Sequence, residues 1–186
     1  MAKPFEALRV DAQSVRKSMQ WYQNQIKNLQ NLQRKTTTAL RMKGEDRIVP
    51  GHLYLFRYDP KFKDELPYYD TLPLVLPFAW TPGGFLGINL HYLPYGMRFK
   101  LMGALLELVV DIQDPKSQAK VSWQILNNAA RFPGVAPCVK HYLGTQIRSR
   151  FLNIPNDQWI AAAMMPLEQF KGASKETVFA NSRRMS

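Results

Sequence analysis

Cysteine pairs, histidine clusters and long apolar runs are all missing from this 186-residue sequence. Cys138 is the only cysteine, so no internal disulfide can form, which suits a reducing compartment. The three histidines, His52, His91 and His141, stand in no zinc-site spacing. Cys138 and His141 make a Cys-x-x-His pair, but a metal there would need two further ligands from distant strands. The richest apolar window, residues 101–110, is half the length of about 20 residues that a bilayer crossing takes, and Glu107 interrupts it. "MAKPFEALRV" has no apolar signal-peptide core, which predicts a protein that stays in the cytoplasm where it is made. Acid is scarce as well: 14 Asp and Glu stand against 25 Lys and Arg, leaving a net charge of +11. Such a field favours an anionic partner, either nucleic acid or an acidic protein face.

What is present begins with a hydrophobic fraction of 46%, enough for a folded core and incompatible with global disorder. In residues 11–34, Val15, Met19, Tyr22, Ile26 and Leu29 recur at spacings of 4, 3, 4 and 3, a narrow helical stripe on a Gln-rich polar helix. Arg16, Lys17, Lys27, Arg34 and Lys35 flank it, and Arg183 and Arg184 close the chain. These residues are the candidate partner-binding set: a thin apolar stripe with a polar back suits docking on another subunit. Residues 1–47 thus read as a basic attachment arm with a linker.

Residues 48–94 change to period two. "GHLYLFRYDP" alternates, and in "LPLVLPFAW" Leu72, Leu74, Leu76, Phe78 and Trp80 fall on one face. Pro73 and Pro77 lie opposite and predict an edge or bulged strand. "TPGG" is a turn, and "FLGINLHYL" alternates after it. The glycines therefore belong to a strand and a turn, because a phosphate loop would place them between a strand and a helix. The pattern predicts an α+β protein: a small SH3-like barrel or curved antiparallel sheet, followed by a helical part over 95–170. That part would hold helices over 95–112 and 117–130, a short one over 137–143, and a returning strand over 146–154. "DQWIAAAMMP" is compatible with either helix or strand, and the basic tail 171–186 looks weakly structured.

Candidate chemistry is thin. Cys138 and His141 could pair as nucleophile and base, but no orienting carboxylate follows, and a structural cysteine is the plainer reading. Asp59, Asp64, Glu65 and Asp70 form the best carboxylate group, in an exposed connection with Lys61 and Lys63, where acids are ordinarily solvated. His91 reads as half-buried and structural beside Asn89. Tyr54, Phe56, Tyr58, Tyr68, Tyr69 and Tyr92 near basic residues suit base stacking, though alternating aromatics also fill a small barrel. The residues predict no catalytic site, no metal and no cofactor.

Three runs, "YDPKFKDELPYYDTLPLVLPF", "GGFLGINLHYLP" and "IRSRFLNIPNDQW…MMPLEQFKGASKETVF", resemble a family of small virion proteins of large contractile-tailed bacteriophages. Members of that family are labelled DNA-end protectors or baseplate- and tail-associated proteins. The resemblance spans residues 50–183, apart from the middle helices, and leaves out the Gln-rich helix. It implies an interaction protein of the virion, not an enzyme, present in several copies of a symmetric assembly put together in the host cytoplasm. It also implies no membrane partner. Its expected partners are tail tube, sheath or baseplate subunits with acidic faces, which would make the chain a connecting part of the tail. The alternative is a protector bound to the ends of the packaged DNA.

Overall fold

A computed structural model describes residues 47–109, 123–124, 126–131 and 134–184. All of them belong to one unit, Arg41–Ser186. The helix expected over 11–34 lies outside the described residues. Strands β1 (Leu53–Leu55), β3 (Leu74–Thr81), β4 (Gly84–Asn89), β5 (Val139–Leu143) and β6 (Leu152–Ile154) form a five-stranded antiparallel sheet in the order β5-β4-β3-β1-β6. Strands β2 (Tyr69–Asp70) and β7 (Phe170–Lys171) make a separate two-stranded ladder. Helices α1 (Tyr95–Val109), α2 (Trp159–Met164) and α3 (Lys175–Arg184) complete the named elements.

The α+β class is as expected, but the sheet is not a closed barrel. Its edges, β5 and β6, do not pair with each other. The chain between them turns through a 3-10 segment, Gly144–Gln146, and then runs beside the continuation of β1. Tyr58 bridges Ile147, and the Arg148 amide donates to the Arg57 carbonyl at 2.9 Å. Residues 147–154 thus run along the edge of 53–58 away from β3, which leaves β5 and β6 at opposite ends of the sheet order.

Pro77 sits in a strand paired on both sides, where its missing N–H ought not to be tolerated. The register slips between Pro77 and Ala79, and this bulge takes up the defect. The slip also corrects the expected faces. Leu74 and Leu76 share one face, whereas Trp80 pairs with Phe85 on the face of Val75. Gly87 stands opposite Pro77, where a Cβ would run into the Val75 side chain. Gly83, at φ 76°, takes the left-handed position of the two-residue Pro82-Gly83 turn joining β3 to β4.

Both faces of the sheet are buried. One carries an aromatic cluster of Tyr54, Phe56, Tyr58, Phe85, Tyr142 and Phe151, with Phe85 stacked on Tyr142 at 5.3 Å. The other carries Leu53, Leu55, Leu74, Leu76 and Ile88, all fully buried. Most of the alternating tyrosines and phenylalanines are therefore core, as barrel-like packing requires.

Two further expectations are corrected. Residues 137–143 are not a helix: after a 3-10 turn at Ala136–Cys138 the chain enters β5, because the open edge of β4 offers Val139 to Leu143 a ladder. The tail is not weakly structured, since α3 occupies most of it. Ser174 accepts a hydrogen bond from the Thr177 amide at 3.3 Å as its N-cap, and Val178, Phe179 and Ser182 are buried. "DQWIAAAMMP" resolves to helix in α2, with the Trp159 indole donating to the Ile154 carbonyl at 2.9 Å.

Candidate nucleic-acid interface

Beneath the surface lies a buried polar knot that fixes the elements around it. Asp70 is only 4% exposed and so does not belong with the solvated acids of its sequence neighbourhood. Its Oδ1 accepts from the amides of Leu72 and Gln169 at 3.0 and 3.3 Å. Its Oδ2 accepts from Asn89 Nδ2 at 3.3 Å and His91 Nδ1 at 2.6 Å. The Asn89 side chain in turn caps the 3-10 turn Leu90–Tyr92 by accepting from the His91 amide at 3.0 Å. Burial pushes the Asp70 carboxyl up, but the attraction and hydrogen bond of His91, with the bonds from Leu72 and Asn89, outweigh it. Its pKa ends below the usual carboxylate range.

Arg98 of α1 is fully buried beside this group. Its guanidinium donates to the carbonyls of Leu93, His91 and Ala163 at 2.7, 3.0 and 3.1 Å, and to Glu168 Oε1 at 2.7 Å. It also lies over the ring of Tyr95 at 4.5 Å and that of Phe179 at 5.4 Å. One side chain thus joins α1, the end of α2, the irregular segment leading to β7, and α3. Burial raises the Glu168 carboxyl, while His91, Arg98 and the hydrogen bonds lower it further than that, so the net direction is down.

The knot ties β2, the end of β4 and the segment before β7 together. His91 and Asp70 have the geometry of an acid–base pair, but His91 is wholly buried, and its Nε2 has no hydrogen-bond partner among the described residues. His91 is fully buried, not half-buried as expected, and its ring is held by the Asp70 carboxylate, because the chain brings β2 against the turn that follows β4. Cys138 and His141 do not converge on a metal: Cys138 is buried with its thiol pushed up to about 11 by burial, and His141 is exposed. Among the described residues no group of three or more His, Cys, Asp or Glu could hold a metal ion. Asp59 pairs with Lys63 at 3.1 Å, in an exposed contact of the kind expected for solvated acids.

The outward chemistry gathers at the β3–β4 hairpin. Trp80 stands one residue before Thr81 and the Pro82-Gly83 turn and is 63% exposed. Phe85 braces it edge-on at 6.4 Å and is itself packed on Tyr142 and Phe56. On the opposite face Thr81 Oγ1 and His141 Nε2 share a hydrogen bond at 2.7 Å. The Gly144 amide donates to the Gly83 carbonyl at 2.9 Å, which seats the 144–146 turn against the hairpin tip. Arg148, two residues beyond that turn, is exposed and donates to Thr145 O and Gln146 Oε1 at 3.2 and 3.3 Å. It also lies 3.8 Å from Asp59, which is shared with Lys63. The hairpin thus presents an exposed indole, braced from within by Phe85, close to its tip.

A family model described as Phage T4 terminal DNA protecting protein matches residues 6–185. The chain belongs to that family. It is therefore a phage virion protein, as its resemblance implied. No curated protein and no solved structure matches the chain. Of the two roles expected from the sequence, the family favours the DNA-end protector over the tail or baseplate connector. No helix among the described residues is long and apolar enough to cross a membrane.

For a member of this family, the sequence-predicted partner set is mostly out of view. Val15, Arg16, Lys17, Met19, Tyr22, Ile26, Lys27, Leu29, Arg34 and Lys35 lie outside the described residues. Arg183 and Arg184 are the last two residues of α3. Sequence reasoning passed over Trp80, which the bulge carries to the aromatic face, and over the Arg98–Glu168 pair. The proline inside an alternating strand was the available signal for the first. A lone arginine in an apolar helix was the signal for the second.

Proposed function

We propose that this protein binds the ends of double-stranded phage DNA in the virion and shields them, as a binding protein and not an enzyme. The observation that carries the reading is the family match over residues 6–185, whose description names terminal DNA. Supporting it are the net charge of +11 and an exposed aromatic braced on the β3–β4 hairpin. Charge alone attracts any duplex, with non-specific affinity of about 10⁻⁴ to 10⁻⁶ M at physiological salt. Protection of ends demands more than that. The partner is the duplex terminus, and phosphate contacts supply attraction while another group recognises that the stack has stopped.

The test is digestion of linear duplex by an exonuclease and, in parallel, by an endonuclease that cuts anywhere. The reading predicts that the purified protein slows the exonuclease while leaving the endonuclease rate nearly unchanged. Equal slowing of both, in step with coating of the whole duplex, would overturn it.

A further inference from the structure

Resting on that reading, we infer that Trp80 is the end-recognition residue, its indole stacking on the exposed face of the terminal base pair while Arg148 contacts the adjoining backbone phosphates. Inside a duplex every base pair is stacked on both sides, and phosphates look alike along its whole length. Only the last pair presents a free π-face. A protein that distinguishes an end from continuous duplex therefore needs a flat apolar group that is exposed, rigid and set beside cations.

Trp80 supplies the exposed, rigid apolar group. It is 63% exposed, the largest exposure among the big hydrophobic residues described. Its backbone is locked in the β3–β4 ladder next to a two-residue turn, and Phe85 holds its inner edge. Ordering cost on binding is correspondingly small, since the platform is already in place. Arg148 follows the 144–146 turn that the Gly144–Gly83 contact seats on the hairpin tip, and its ion pair with Asp59 at 3.8 Å is loose enough to be exchanged for a phosphate. The other exposed aromatics fit less well. Phe62 sits in the 59–66 connection beneath the Lys61 ammonium, 5.2 Å from its ring centroid. One face of its ring is thereby covered, whereas the Trp80 indole meets Phe85 edge-on. Trp123 has no described brace.

The experiment measures binding of the full chain to a fluorescent blunt duplex, in competition with either unlabelled linear duplex or a covalently closed circle. The ratio of the two competitors is the end preference. Trp80→Ala should reduce that preference about tenfold or more, in line with the loss of one base–aromatic stack. Affinity for the closed circle should change less than twofold. Trp80→Phe should retain most of the preference. Trp80→Lys keeps the protein soluble and adds charge: a charge-only mechanism predicts tighter binding to ends, whereas stacking predicts lost preference. Arg148→Ala should weaken both competitors alike and lower the salt slope by about one phosphate's worth. Thermal melts that match wild type confirm folding of each variant. Wild-type end preference in both Trp80→Ala and Trp80→Lys overturns this inference and leaves end binding standing. A wild-type protein with no preference for ends removes the proposed function and this inference with it.

Discussion

Arg98 and Asp70 show what single residues contribute here. Each is a charge taken out of water, and each is matched by partners on several elements, so neither can be removed without stranding another polar group. The carboxyls of Asp70 and Glu168 are both held below their usual range in the folded protein. A depressed folded pKa contributes stability that is present above the unfolded value of about 4 and is lost as pH falls through the folded value. The protein should therefore melt at progressively lower temperature as the pH is taken below about 4. Asp70→Asn should be less stable at pH 6 and show a shallower decline on acidification. Melting curves between pH 6 and 2 for both proteins check this, and parallel curves for the two would contradict it.

At the scale of elements, the β3–β4 hairpin is the most constrained part of the fold. Gly87 lets the Val75 side chain close against the ladder, and the bulge beyond Pro77 turns Trp80 to the aromatic face. Gly87→Ala should destabilise the protein by about 1–3 kcal/mol, the usual cost of overpacking a filled core. Val75→Ala in the same chain should recover part of that loss by making room for the new methyl. Urea unfolding midpoints for the single and double variants measure both effects. If Gly87→Ala unfolds like wild type, the close approach is not what requires glycine.

This hairpin also marks the limit of what was legible in the sequence. Period two revealed β3 and β4 because each strand alternates locally, and the proline announced a bulge. The bulge's consequence for Trp80 was not visible, since one inserted residue reverses every face after it and its position is set by pairing with β4. β5 was misread as helix for a similar reason: residues 139–143 are strand only because the β4 edge is there to receive them. Asp70 looked like one more solvated acid, and only the folded chain brings Asn89, His91 and Gln169 to it. The capped helix α3 was readable in principle from Ser174 followed by Val178, Phe179 and Ser182, but its polar composition masked that pattern.

For the whole molecule, the scaffold and the charge have separate tasks. The buried knot and the two-faced sheet support the hairpin, while on the proposed function the net charge of +11 would attract polyanions without regard to sequence. Shielding of termini requires that the bound state be set by ends and not by length. The most direct measurement is the number of protein molecules bound per duplex at saturation, near physiological salt, as the length of a blunt linear DNA is varied. The account predicts a tight class of sites whose number stays constant as the duplex is lengthened and disappears when it is closed into a circle. A bound count that rises in proportion to length, with no tight class tied to the termini, would contradict it.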